Sequence, residues 1–248
     1  IEGVVQYWHH VHLGAWAINK AGLIIAEATA VAPEGRITPE DSGLWNDEQE
    51  AAWKPILAFS HTQGVPMAIQ LAHAGRKAST RSPFQEGEAV VMPGEGGWTP
   101  EAPSAQAYEG LLEPAEMSVE RIGEIISAFG ESATRAVRAG FDAIEIHAAH
   151  GYLLHQFYSP LINDRTDEYG GSFENRIRFL LEVVRAVRKV IPEGTPLFVR
   201  ISSSDWADGG WNLIDSIELA KELKVLGVDL IDASSGGAIH NAKIDVKP

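Results

Sequence analysis

The residues of this 248-residue chain that could do chemistry converge on one hexapeptide, His147-Ala148-Ala149-His150-Gly151-Tyr152. It lies where an apolar run, 142–149, gives way to a loop. Two imidazoles three residues apart at a strand end can donate to one oxygen that gains negative charge, such as a substrate carbonyl oxygen. The same pair could ligate a metal, with His155 or Glu145 completing the set. Spacing leaves both readings open, beside a purely structural one. Tyr152 adjoins the histidines and is a candidate proton donor, although a buried tyrosine also serves simply as core.

Other polar residues sit where apolar ones are expected. Glu27, Gln70, Glu145, Arg200 and Asp232 each lie in or near the C-terminal end of an apolar run. Alternation along a strand turns Gln70 away from Ile69 and Leu71, and puts Glu145 and His147 on one face opposite Ile144 and Ile146. An unpaired buried charge costs several kcal/mol. Such groups therefore pair with one another or meet a ligand. Gln70 and Arg200 favour the ligand, because sites in α/β folds gather at the C-terminal ends of strands. Glu27, Glu145 and Asp232 are balanced between the two.

The elements that must position these residues are five apolar runs, 22–31, 66–72, 142–149, 196–202 and 228–235. Each is too continuously apolar to leave one face in water, which predicts parallel strands covered on both sides. Helical patterns separate them. One opens at Ser118, repeats through Ile122, Ile126, Phe129, Ala133 and Val137, and stops at Gly140. Another follows Ser172 through Ile177, Leu181, Val184 and Ile191; a third carries Ile217, Ala220, Leu223 and Leu226 before Gly227. Asp47 and Glu50 resemble a capping box, and Pro55 downstream either starts or kinks that helix. Alternating strand and helix predicts an α/β fold with right-handed crossovers. The stretch 77–117, rich in Gly, Pro and acidic residues, is too long for a simple loop and reads as an insertion or lid.

Composition narrows the function classes. Lys and Arg number 20 against 34 Asp and Glu, a net charge of -14. That sign is wrong for a binder of nucleic-acid phosphates. There is no cysteine, hence no disulfide, thiolate zinc site or cysteine-bound cluster in these residues. No apolar run is long enough to span a membrane, and the first residues are not a secretory leader. The expected compartment is the cytoplasm. No P-loop, dinucleotide fingerprint or nucleophile elbow occurs.

Longer motifs carry a resemblance. Gln70-Leu71-Ala72-His73-Ala74-Gly75-Arg76-Lys77 is similar to the third-strand motif of the Old Yellow Enzyme family, in its branch closest to bacterial xenobiotic reductases. The run 146–176 resembles the family's longest signature, through Ser159-Pro160-Leu161, Asn163, Arg165-Thr166-Asp167, Tyr169-Gly170-Gly171-Ser172 and Glu174-Asn175-Arg176. Gly35-Arg36-Ile37-Thr38 and Gly43-Leu44-Trp45 match as well.

The resemblance implies a TIM (β/α)8 barrel holding FMN at its C-terminal mouth. About five βα units, strands two to six, fall within 1–248, as a partial FMN-binding domain with 77–117 as its insertion or lid. The family's first strand is expected before residue 1 and its last two after Pro248, with the phosphate site among them. Residue by residue, the similarity implies that Ala28 packs against the flavin and Gln70 bonds its pyrimidine edge. Arg200 sits near the same ring and favours the anionic reduced flavin. His147 and His150 bind the carbonyl or nitro oxygen of the substrate, and Tyr152 protonates its alpha carbon. The implied reaction is reduction of activated C=C bonds in enones or nitroalkenes, with hydride from NADPH or NADH passing through FMN. No metal is implied, and assembly as a homo-oligomer is left open. The alternative is a truncated family remnant that no longer catalyses and at most binds small molecules.

Overall fold

The computed structural model describes residues 2–244. Among them a five-stranded sheet, all parallel, runs in the order β1 (Ile24–Ala30), β2 (Met67–Ala72), β5 (Ala143–Ala148), β6 (Leu197–Ser202), β7 (Leu230–Ser234). β3 (Glu101–Ala102) and β4 (Ala115–Glu116) form a separate two-stranded ribbon. The connecting helices are α2 (Asp47–Thr62), α3 (Val119–Ala139), α5 (Phe173–Val190) and α6 (Leu213–Val225). They pack on one another in chain order, α2 on α3, α3 on α5 and α5 on α6, so they form one layer alongside the sheet. That arrangement follows from parallel strands, each of which needs a crossover to reach its neighbour.

All five anticipated strands form, but their burial differs. β2 and β5 are buried at every position, whereas β1 exposes Ile25 and Glu27, and β7 exposes Leu230 and Ala233 and is half-buried at the rest. Continuous apolarity in β1 and β7 does not mean cover on both faces, because these are the two edge strands and each has a single strand neighbour. Only four of the five strands lead into a helix among the described residues, so the count of five βα units is not met there.

Helix ends follow local chemistry. Ser118 and Ser172 accept from the backbone N–H of Arg121 and Asn175 and start α3 and α5. Gly140 closes α3 in the left-handed region at φ 108°. The cap of α2 lies one residue earlier than Asp47: Asn46 caps the helix in a reciprocal box with Gln49. The helix runs through Pro55 without a break. Two helices lack a legible stripe. α1 (Tyr7–Ile18) packs on α2 and β1 while leaving Tyr7, Trp8, Trp16 and Ile18 exposed. α4 (Leu153–Tyr158) is buried on every side. No helix among the described residues is long and apolar enough to cross a membrane.

Segment 77–117 is pinned at several points. Trp98 donates its indole N–H to the Glu34 carbonyl at 2.8 Å, and Arg165 donates to the carbonyls of Pro103 and Met117 at 3.0 and 2.6 Å. Arg121, at the start of α3, binds Glu101 of the ribbon and Glu34 of the loop after β1.

Candidate functional site

The C-terminal ends of β1, β2, β5 and β6 meet in one place. Strand register sets Ala28 beside Gln70, Gln70 beside Glu145, His147 beside Arg200, and Arg200 beside Asp232. Ala28 reaches that row through a β-bulge between Ala26 and Ala28. The bulge shifts the side-chain alternation by one. Glu27 is therefore not an interior group; its carboxylate turns out to His9 of α1 at 2.8 Å.

Part of the polar row pairs internally. Gln70 gives its amide nitrogen to Glu145 at 2.7 Å, which leaves its carbonyl oxygen facing the other way. Burial raises the pKa of Glu145, and its second oxygen has no hydrogen-bond partner. Arg200 lies 3.3 Å from Asp232, close enough to pair in charge, but its Nε is misaligned for a hydrogen bond and has no partner. His147 is buried and its Nδ1 is also unpartnered. Three orphaned polar atoms in two adjacent rows cost several kcal/mol unless something bonds them.

The hexapeptide turns at the strand end. His150 takes a left-handed backbone, φ 59°, followed by Gly151 at 73°. Its N–H donates to Ser202 Oγ at 2.8 Å and its Nε2 lies 2.6 Å from Ser234 Oγ. The ring of His147 stands 5.2 Å from that of His150 and 5.2 Å from that of Tyr152, edge to face with both. Burial pushes the His147 pKa down to about 3 and lowers that of His150. Both imidazoles are neutral at pH 7 and each keeps one N–H to donate. Burial, then Asp41 and Tyr108, raise the Tyr152 pKa, so its phenol holds its proton. His147 and Tyr152 line a small cavity with Ala28, Ala30, Arg36 and His73.

His155 does not join the other histidines as a metal ligand. Its Nδ1 accepts from the Gly151 N–H at 2.8 Å, so its proton is on Nε2 and goes to Asp205 at 2.7 Å. Asp205 also accepts from Ser159 at 2.7 Å and from the Trp211 N–H at 2.8 Å. Both His155 nitrogens are engaged, so it has none to offer a metal. Another cluster, Glu34, His73 and Glu101, brings its ligating atoms within 4.8 Å of one another. Arg121 already neutralises both carboxylates. His73 Nδ1 accepts from the Gly75 N–H at 3.1 Å, which puts the proton on Nε2, the nitrogen left without a partner. A metal at Nε2 would force that proton onto Nδ1, against the Gly75 donor. The cluster is an ionic pin under the insertion.

Sequence reasoning overlooked Asp205, Ser202, Ser234 and Lys77. Ser202 and Lys77 meet the backbone of His150, Ser234 meets its ring, and Asp205 acts through His155; each contact spans a long separation and leaves no local pattern.

Comparison with known proteins gives the family. Residues 2–247 match the model of the NADH:flavin oxidoreductase / NADH oxidase family. An NADH:flavin oxidoreductase of Gibberella zeae is 48% identical over 260 residues, 99% of this chain and 63% of the relative. An NADPH dehydrogenase of Bacillus subtilis is 48% identical over 248 residues, 100% of this chain and 68% of the relative. This chain thus spans about two thirds of their length. Among solved structures, morphinone reductase superposes with a TM-score of 0.80 at 34% identity, over 93% of this chain and 63% of that one. The Old Yellow Enzyme homologue from Zymomonas mobilis gives 0.79 at 31%, over 98% and 68%.

Proposed function

The chain belongs to the NADH:flavin oxidoreductase / NADH oxidase family, that of Old Yellow Enzyme, and from that premise we propose that it is the central part of an FMN-dependent ene-reductase. Its five parallel strands are read as strands two to six of a (β/α)8 barrel, with 77–117 as the insertion over the mouth. FMN and a nicotinamide are the family's cofactors; the substrates proposed are enones and nitroalkenes.

The residues present fit a flavin. The orphaned atom of Glu145 lies in the row of Gln70, whose carbonyl oxygen is left to accept, and those of His147 and Arg200 lie in the row two residues nearer the strand ends. The small side chain of Ala28 leaves room beside Gln70. Gln70 and Arg200 would hold the pyrimidine edge, one by an amide and the other by charge. When bound, FMN supplies the hydride.

The chain's own residues do the rest. Neutral His147 and His150 can each offer an N–H to the substrate oxygen that gains charge. A protonated imidazole would be a stronger donor, but its burial disfavours it here. Ser202 and Ser234 fix His150 from two sides, so its ring is aimed before substrate arrives. Tyr152 holds a proton at neutral pH and can release it to a carbon made basic by reduction next door.

The observation that carries the reading is the meeting of two neutral imidazoles and one protonated phenol beside Gln70 and Arg200, with the Glu145 oxygen and Arg200 Nε left without hydrogen bonds. The test uses the full-length protein. A flavin absorbance spectrum and titration with a simple phenol come first, followed by anaerobic mixing of reduced protein with cyclohexenone. Replacing both His147 and His150 by Ala is expected to weaken phenol binding and slow enone reduction, each donor contributing about 2.7–4 kcal/mol. Unchanged enone turnover in the double variant would refute the assigned roles, and a protein that never takes up flavin would favour a non-catalytic binding remnant.

A further inference from the structure

We propose that Lys77 is a positioning residue for this site, its ammonium drawing the carbonyl oxygens of His150 and Gly237 together and thereby fixing His150 and Tyr152. The proposal rests on the ene-reductase reading for its catalytic consequence, but the clamp itself is a property of the folded chain.

Lys77 ends the 3-10 turn Gly75–Lys77 that follows β2. Its Nζ donates to the His150 carbonyl at 2.8 Å and to the Gly237 carbonyl at 2.6 Å. The same nitrogen lies 4.3 Å from the centre of the Tyr108 ring and 5.6 Å from that of Tyr152. Among the described residues no carboxylate pairs with it. Even a half-buried cation without a counter-charge is costly, and this one is held by two carbonyl dipoles and an aromatic face instead. Burial, then Arg76, lower its pKa to about 8, so it remains mostly charged at pH 7.

The two carbonyls would not otherwise sit together. A Cβ on Gly151 would lie 1.9 Å from the Gly237 oxygen, and one on Gly237 would lie 2.4 Å from the His150 carbonyl carbon. The two backbones touch because both residues are glycine, and their like-signed oxygens converge on one cation. His150 is the non-glycine residue in left-handed backbone at this turn, at φ 59°. Its N–H and ring are held by serines; its C=O is held by Lys77. Arg76 reinforces the same clamp by donating to the Ala238 carbonyl at 2.6 Å and to that of Gln106 at 3.0 Å. The pair therefore joins the β2 turn, the hexapeptide, the loop after β7 and the insertion.

The experiment compares full-length, flavin-loaded protein with Lys77→Met, which keeps the stem and removes the charge, and Lys77→Arg, which keeps the charge. Hydrogen exchange is read in peptides covering 149–152 and 236–239, together with phenol affinity and the two half-reactions. Lys77→Met is expected to speed exchange in both peptides, weaken phenol binding about tenfold and slow enone reduction by a similar factor, which is about 1.4 kcal/mol. Flavin reduction by the nicotinamide should change far less, and Lys77→Arg should recover most of the loss. Unchanged exchange in both peptides with unchanged phenol affinity would overturn the proposal. If Lys77→Met does not fold, Lys77→Gln decides: intermediate exchange and affinity support the clamp, and values equal to the unaltered protein overturn it. A protein without enone reduction sinks the ene-reductase reading alone, because the exchange result still decides the clamp.

Discussion

Acid should weaken this fold before its carboxylates titrate. The perturbation is a fall from pH 7 to pH 5. His147 and His73 are buried without a partner on one ring nitrogen each, and burial lowers their pKa values to about 3 and about 4. In the unfolded chain each titrates near 6.5. A base whose folded pKa is depressed takes up its proton first in the unfolded state. Its contribution is therefore whole above pH 6.5 and is lost as pH falls toward the folded value. The loss runs at about 1.4 kcal/mol per pH unit for each histidine, hence about 2 kcal/mol each between 6.5 and 5. Together they remove about 4 kcal/mol, a large part of the roughly 5–15 kcal/mol of a typical domain. His150 and His155 shift in the same direction and add to this. Carboxylates with lowered pKa values, such as Asp205 and Glu50, contribute losses only below the ordinary carboxylate range. Glu145, shifted upward, acts with the opposite sign. The assay is urea denaturation of full-length protein at half-unit pH steps, for the unaltered chain and for His147→Asn. The variant should lose about 2 kcal/mol less between pH 7 and 5. Identical pH dependence in the two proteins would refute a buried neutral His147.

Other expectations are as direct. Tyr152→Phe should slow the oxidative half-reaction with enones by about 100-fold and spare flavin reduction, because a proton is needed only in the former; equal loss in both halves on stopped-flow would make Tyr152 structural. Asp205→Ala strands the His155 and Ser159 donors and the Trp211 N–H in a buried site, and should destabilise by about 3–5 kcal/mol in urea; a change under about 1 kcal/mol would contradict the network. Residues 1–248 expressed alone should bind FMN weakly and tend to associate, since β1 and β7 present sheet edges and Ile25 and Leu230 are exposed. A cooperative, stoichiometrically yellow monomer would overturn that.

How much of this was legible in the sequence depended on what kind of atom carries each contact. Buried strands announce themselves, because both faces need apolar side chains, and β2 and β5 are of that kind. Helices with one wet face do as well: α3 and α5 were readable from Ser caps and apolar spacing. α1 was not, because its aromatics and histidines run around the helix without a stripe. α4 was not, because a short helix buried on all sides has no polar face to set the period. The capping signal at 46–50 was visible but displaced by one residue, since Asn46, Asp47, Gln49 and Glu50 all suit such a box.

The site divides along the same line. His147, His150, Tyr152, Gln70 and Arg200 are chemical side chains in apolar surroundings, and that contrast singles them out. What aims them is mostly main chain: the bulge that turns Ala28 inward, the Gly151 N–H on His155, and the carbonyls of His150 and Gly237 on Lys77. Every residue has a carbonyl, so a carbonyl clamp has no composition and no spacing. Only its cation is a side chain, and that no acid lies in its reach is seen in the fold alone. A buried or half-buried lysine or arginine without a carboxylate partner is therefore informative in a fold of this kind, because it marks where two backbone segments must be held together. Lys77 and Arg76 mark the junction between the hexapeptide and the loop after β7. The side chains assigned to the chemistry stand on that junction, so their geometry should be sensitive to changes in residues that never touch the substrate.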